Sequence, residues 1–76
     1  MEYYLIHKDE PGDYLLIGTE SFGSFWPDQG LQALMNIVDK DPDEIANIEI
    51  KVDTGEILTV GEFVEKLQDL KVRTNG

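Results

Sequence analysis

Asp9, Glu10, Asp13, Glu20, Asp28 and Asp39 are six carboxylates on a stretch, 9–39, that contains no lysine or arginine. Carboxylates without local cations can ligate a metal, share a proton as a catalytic pair, or meet the Lys and Arg of a partner. Asp39, Asp41 and Asp43 have the D-x-D-x-D spacing that opens a calcium loop. Such a loop also needs glycine at its sixth place and glutamate at its twelfth, where this chain has Glu44 and Ile50. His7 is the single histidine and reads as a strand-end residue, and Ser21, Ser24 and the threonines have turn or cap roles, so no triad is expected; without cysteine there is no thiolate site. Gly18, Gly23 and Gly30 lack the spacing of a phosphate-binding loop. The chain is expected to have no enzymatic activity, metal or cofactor, which leaves solubility or a basic partner as the use of the acids.

One further tripeptide bears on catalysis. Asp53-Thr54-Gly55, preceded by Val52, resembles the segment that carries the catalytic carboxylate in dimeric retroviral-type aspartic proteases. That enzyme needs a longer chain to build its flap and cleft. Here the tripeptide falls between two β-prone segments, where Asp and Gly are turn residues.

Over the whole sequence 16 acidic residues face 6 basic ones, a net charge of -10 on 76 residues. Small soluble domains more often carry ~2 to 8 charges, and a larger excess opposes compaction by self-repulsion. Hydrophobic residues make up 41%, too many and too well patterned for a disordered acidic tail. A single domain, 1–76, is expected, with Thr74-Asn75-Gly76 frayed and a core that buries only ~60% of the unfolded surface. The opening apolar run is too short for a signal peptide or a membrane span. The reading is a soluble, cytoplasmic protein that does not bind a membrane.

Residues 2–7 and 14–18 are rich in Tyr, Leu and Ile and flank Glu10-Pro11-Gly12-Asp13, which reads as a type II turn in a β-hairpin. Tyr3 and Leu5 lie on one side of the first strand and Tyr4 and Ile6 on the other, so both faces need cover. A homodimer through the open face or the edge is expected to supply it. Thr19–Trp26 reads as a loop, then Pro27 opens a helix to Asp39 whose apolar face is Leu31, Leu34, Met35 and Val38. Asp41-Pro42-Asp43-Glu44 suits one helical turn. Ile48, Ile50 and Val52 alternate with Glu49, Lys51 and Asp53 as a half-buried strand, and Ile57-Leu58 return after Gly55. Thr59 and Glu62 make a capping box for a second helix carrying Val60, Phe63, Val64, Leu67 and Leu70. The order ββαββα implies an α+β fold, a four-stranded antiparallel sheet with two helices packed on one face.

Phe22, Phe25 and Trp26 crowd into the expected loop. They either anchor a partner, as large rigid aromatics do, or close the core over the first helix. Acid lies around them, which disfavours direct nucleic-acid binding.

In charge, size, lack of catalytic groups and strand-helix content, the chain resembles the small acidic inhibitors that bacteriophages make against host DNA-binding proteins. The resemblance implies a protein-binding inhibitor whose carboxylates imitate phosphates and fill the basic groove of a nucleic-acid-binding protein. On that expectation Asp9, Glu10, Asp13, Glu20 and Asp28 meet the partner, with Phe25 and Trp26 beside them. The alternative expectation is an acidic accessory domain that associates through the aromatic loop or the sheet face.

Overall fold

The computed structural model describes residues 1–73; the expected fraying at Thr74–Gly76 lies outside the described residues. Strand β1 (Glu2–His7) pairs antiparallel with strand β2 (Glu10–Ser21), as their aromatic and branched residues favour. The turn between them is Lys8-Asp9 rather than Glu10–Asp13, because His7 pairs with Glu10. Pro11, Gly12 and Asp13 instead bulge out of β2 between the Ile6–Tyr14 and His7–Glu10 pairs. Pro11 has no N–H to give to a ladder. The turn is clamped from outside: the Lys8 N–H donates to the Asn47 carbonyl at 2.7 Å and the Asp9 N–H to Asn47 Oδ1 at 3.2 Å.

The aromatic segment is a second hairpin, not a loop. Strand β3 (Ser24–Pro27) pairs with the end of β2, with Ser21 opposite Ser24. Phe22 (φ +50°) and Gly23 (φ +77°) form the two-residue turn, both in the left-handed region that such hairpins require. Pro27 therefore ends a strand, and helix α1 (Gln29–Lys40) starts after Asp28, whose Oδ1 accepts the Gln29 N–H at 2.7 Å. A 3₁₀ segment, Pro42–Asn47, has its proline in the first turn, as expected, and leads into strand β4 (Ile48–Val52). Gly55 (φ +97°) turns the chain into strand β5 (Ile57–Leu58).

Helix α2 (Val60–Gln68) begins with the capping box in both directions: Glu62 N–H to Thr59 Oγ1 at 3.1 Å, and Thr59 N–H to Glu62 Oε1 at 2.9 Å. After it, Lys71–Val72 form strand β6, parallel to β3, a strand that the ββαββα order did not include. The α+β class stands, but the expected four-stranded antiparallel sheet is a six-stranded mixed one, ordered β5-β4-β1-β2-β3-β6. The added strands are β3 and β6, which satisfy each other's backbone through Lys71 N–H to Gly23 O and Arg73 N–H to Phe25 O.

One face of the sheet makes the core. Tyr3 and Leu5 (β1), Ile17 (β2), Phe25 (β3) and Ile48, Ile50 and Val52 (β4) pack with Leu34 of α1 and Val60 and Phe63 of α2. The rings of Tyr3, Phe25 and Phe63 meet at centroid distances of 5.3 to 6.1 Å. Both helices thus share this face, and the opposite face is left without a layer. Met35, expected on the buried face of α1, is exposed.

Candidate functional site

Two surfaces remain after the core is accounted for. The first is the end of the sheet where the β1–β2 turn meets the 3₁₀ segment. The side-chain amide of Asn47 donates both to Asp9 Oδ1 at 2.9 Å and to Glu44 Oε1 at 2.7 Å. Two carboxylates from distant parts of the chain are thereby fixed by one neutral donor. Their positions are set while their charge is left uncompensated by that contact. Glu10 and Asp13 on β2, and Asp41 and Asp43 at the 3₁₀ segment, are exposed on the same two stretches of chain.

The other expected binding residues lie elsewhere. Glu20, at the far end of β2, is half-buried and accepts a hydrogen bond from the Tyr3 hydroxyl. Burial, and then that bond and the nearby carboxylates, hold the Tyr3 hydroxyl well above the usual tyrosine range. Glu20 therefore belongs to the support of the core. Asp28 is exposed, but its carboxylate is engaged as the cap of α1. Phe25 is fully buried, so it cannot touch a partner and the expectation that it does is corrected. It points inward because alternation along β3 sends Phe25 and Trp26 to opposite faces. Of the acids proposed from sequence, Asp9, Glu10 and Asp13 stand together, and Glu20 and Asp28 stand apart. Asp53 of the Asp-Thr-Gly tripeptide sits at the exposed β4–β5 turn, which is closed by Gly55 N–H to the Val52 carbonyl. Among the described residues, no group of three or more histidines and carboxylates is arranged to hold a metal ion.

The second surface is the face of the sheet opposite the helices. Cross-strand pairing places Tyr4 and Ile6 beside Leu16 and Tyr14 there, with Trp26 toward one edge and Ile57 toward the other. Tyr14 is 59% exposed, Ile57 57% and Trp26 46%, so this one face of the sheet carries three large exposed apolar side chains. The Tyr4 and Tyr14 rings meet edge to face at 5.5 Å. Beside them runs an open groove of about 550 Å³, lined by Tyr4, Ile6, Pro11, Tyr14, Lys51 and Asp53. The bulge in β2 brings Pro11 to its wall.

Two features of these surfaces were not anticipated. Phe22 is fully exposed at the tip of the β2–β3 hairpin; a residue-glycine pair between two short β-prone runs is the signal that could have found the turn. Asn47 carried no such signal, since its partner Asp9 lies 38 positions away. No protein-family model matches the chain, and no curated protein or solved structure is similar enough to count as a match, so these two surfaces are what its function must be drawn from.

Proposed function

We propose that this protein is a non-enzymatic inhibitor that occupies the basic nucleic-acid-binding surface of a partner protein, its carboxylates taking the place of phosphates. The observation that supports this most is the double hydrogen bond from Asn47 to Asp9 and Glu44. It orients two anions in advance, next to exposed Glu10, Asp13 and Asp43, so the partner's Lys and Arg meet acceptors whose ordering cost is already met. Carboxylate and phosphate oxygens accept the same charge-assisted hydrogen bonds from Lys and Arg. The net charge of -10 adds a long-range attraction to a basic partner and repels nucleic acid itself.

The test is competition. The protein should release DNA from a basic DNA-binding protein in a fluorescence-anisotropy assay without binding DNA, and the effect should shrink steeply between about 50 and 200 mM salt. The triple variant Glu10→Lys, Asp13→Lys, Asp43→Lys should lose this activity while keeping the circular dichroism of the unaltered protein and a thermal midpoint no lower than its own. A panel of DNA-binding proteins that keeps its DNA at large excess of this protein, or a triple variant that still displaces, refutes the proposal. A second reading, an accessory domain associating through the sheet face, is favoured by the exposure of Tyr14, Trp26 and Ile57. Its mark is capture of a partner that survives high salt.

A further inference from the structure

We infer that the groove on the open sheet face receives an amphipathic helix of a basic partner, its apolar stripe on Tyr4, Ile6, Tyr14 and Leu16. The lysines or arginines flanking that stripe meet Glu2, Glu49 and Asp53. The inference rests on the proposed function in one respect only, that the partner is basic.

Three observations select this occupant. An added strand is disfavoured because β5 and the described part of β6 have two residues each, and the edge of β2 that β3 leaves free is interrupted by the Pro11–Asp13 bulge. A second copy of the chain is disfavoured by sign. The open face carries Glu2, Glu49 and Asp53 against Lys51 alone, so two such faces would oppose like charge while each chain holds -10 overall. A basic helix meets the same charges with attraction. The width also fits: a helix ~10 Å across needs a floor about two strands wide, and Tyr4 and Ile6 of β1 with Leu16 and Tyr14 of β2 supply it.

The experiment uses three synthetic helical peptides of about 18 residues without tryptophan. One has a leucine stripe flanked by lysines, the second replaces leucine with alanine at equal charge, and the third keeps leucine but replaces lysine with glutamate. Binding is read by calorimetric titration, and Trp26, the single tryptophan, lies on the same open face beyond the groove lining, so its emission adds a report of a helix laid along that face. The Leu/Lys peptide should bind with a blue shift of Trp26 emission, the Ala/Lys peptide should bind about tenfold more weakly or worse, and the Leu/Glu peptide should not bind. Tyr14→Ser should weaken the Leu/Lys peptide by about tenfold while circular dichroism stays that of the unaltered protein. Equal binding of the Leu/Lys and Ala/Lys peptides, or unchanged affinity in Tyr14→Ser, overturns the inference. So does a dimer in sedimentation at micromolar concentration that Tyr14→Ser dissolves, since the face would then belong to a second copy. If Tyr14→Ser alters the fold, the three peptides on the unaltered protein still decide the question. Failure here and failure of DNA displacement are separable. Tyr14→Ser leaves every proposed phosphate-mimicking carboxylate in place, and the triple lysine variant leaves the apolar floor intact.

Discussion

Phe22 occupies a position that local physics assigns to asparagine or glycine. A φ of +50° crowds any side chain with a Cβ, at a cost of roughly 1–2 kcal/mol, and this ring recovers nothing by packing because it is fully exposed. Phe22→Asn should therefore raise the thermal midpoint by several degrees, on the order of 4–8 °C per kcal/mol for a domain of this size. A melt that stays level or falls would show that the ring makes contacts outweighing the turn. Tyr3 gives a second test, in alkali. Its hydroxyl is held above the ordinary value of 10.0 by burial and by Glu20, so in the unfolded chain it loses its proton first. Above that pH the unfolded state binds fewer protons than the native one, and stability falls as pH rises. Tyr3→Phe should flatten the loss of thermal midpoint between about pH 10 and 12 relative to the unaltered protein. Equal slopes in the two proteins would contradict the assigned burial.

Among the elements, two helical glycines separate propensity from packing. In helices Ala is ordinarily better than Gly by ~0.5–1 kcal/mol. At Gly61 in α2 an added Cβ would meet only Thr59 Oγ1 at 3.9 Å, so Gly61→Ala should stabilise by about that amount. At Gly30 in α1 the same atom would lie 2.5 Å from the backbone carbonyl oxygen of Leu16 in β2. Backbone cannot swing aside as a side chain does, and Gly30→Ala should destabilise by ~1–3 kcal/mol despite the better helix former. Denaturant titration of the two variants checks both signs. A stabilised Gly30→Ala would mean that α1 can lift from the sheet at little cost. The close approach explains how a helix with Leu34 as its only buried large side chain still holds one layer of the fold.

At the scale of the whole molecule, the two helices gathered on one face and the charge of -10 act in opposite directions. Burial of the three-ring core draws the chain together, and the acids press it apart. Screening falls within ~10 Å at 0.1 M salt, so sodium chloride should raise the thermal midpoint between about 0.01 and 0.5 M. A level or falling midpoint would indicate that the carboxylates are already neutralised by pairing. The same charge that costs stability is what would give a basic partner its rapid approach. No helix among the described residues is long and apolar enough to cross a membrane.

Features stabilised within a few residues were legible in the amino-acid sequence. The Thr59–Glu62 box, the positive φ of Gly55, the alternation of β4 and the two-faced apolar pattern of β1 each rest on neighbours at most four positions away. So did the excess of acid, which is composition alone. The tertiary structure decided the rest, because the contacts responsible join residues far apart in the chain. Asn47 clamps Asp9 across 38 positions and so moves the first turn from Glu10–Asp13 to Lys8-Asp9. Arg73 reaches Ser24 across 49, beside the pairing that turns a helix end into β6. Only once β3 was paired could Phe25 be placed in the core and Trp26 on the open face. Asn47 bonds Glu44 three positions away but Asp9 at 38, so the two carboxylates became neighbours only when the fold brought Asp9 to it, and local sequence carries no record of that proximity.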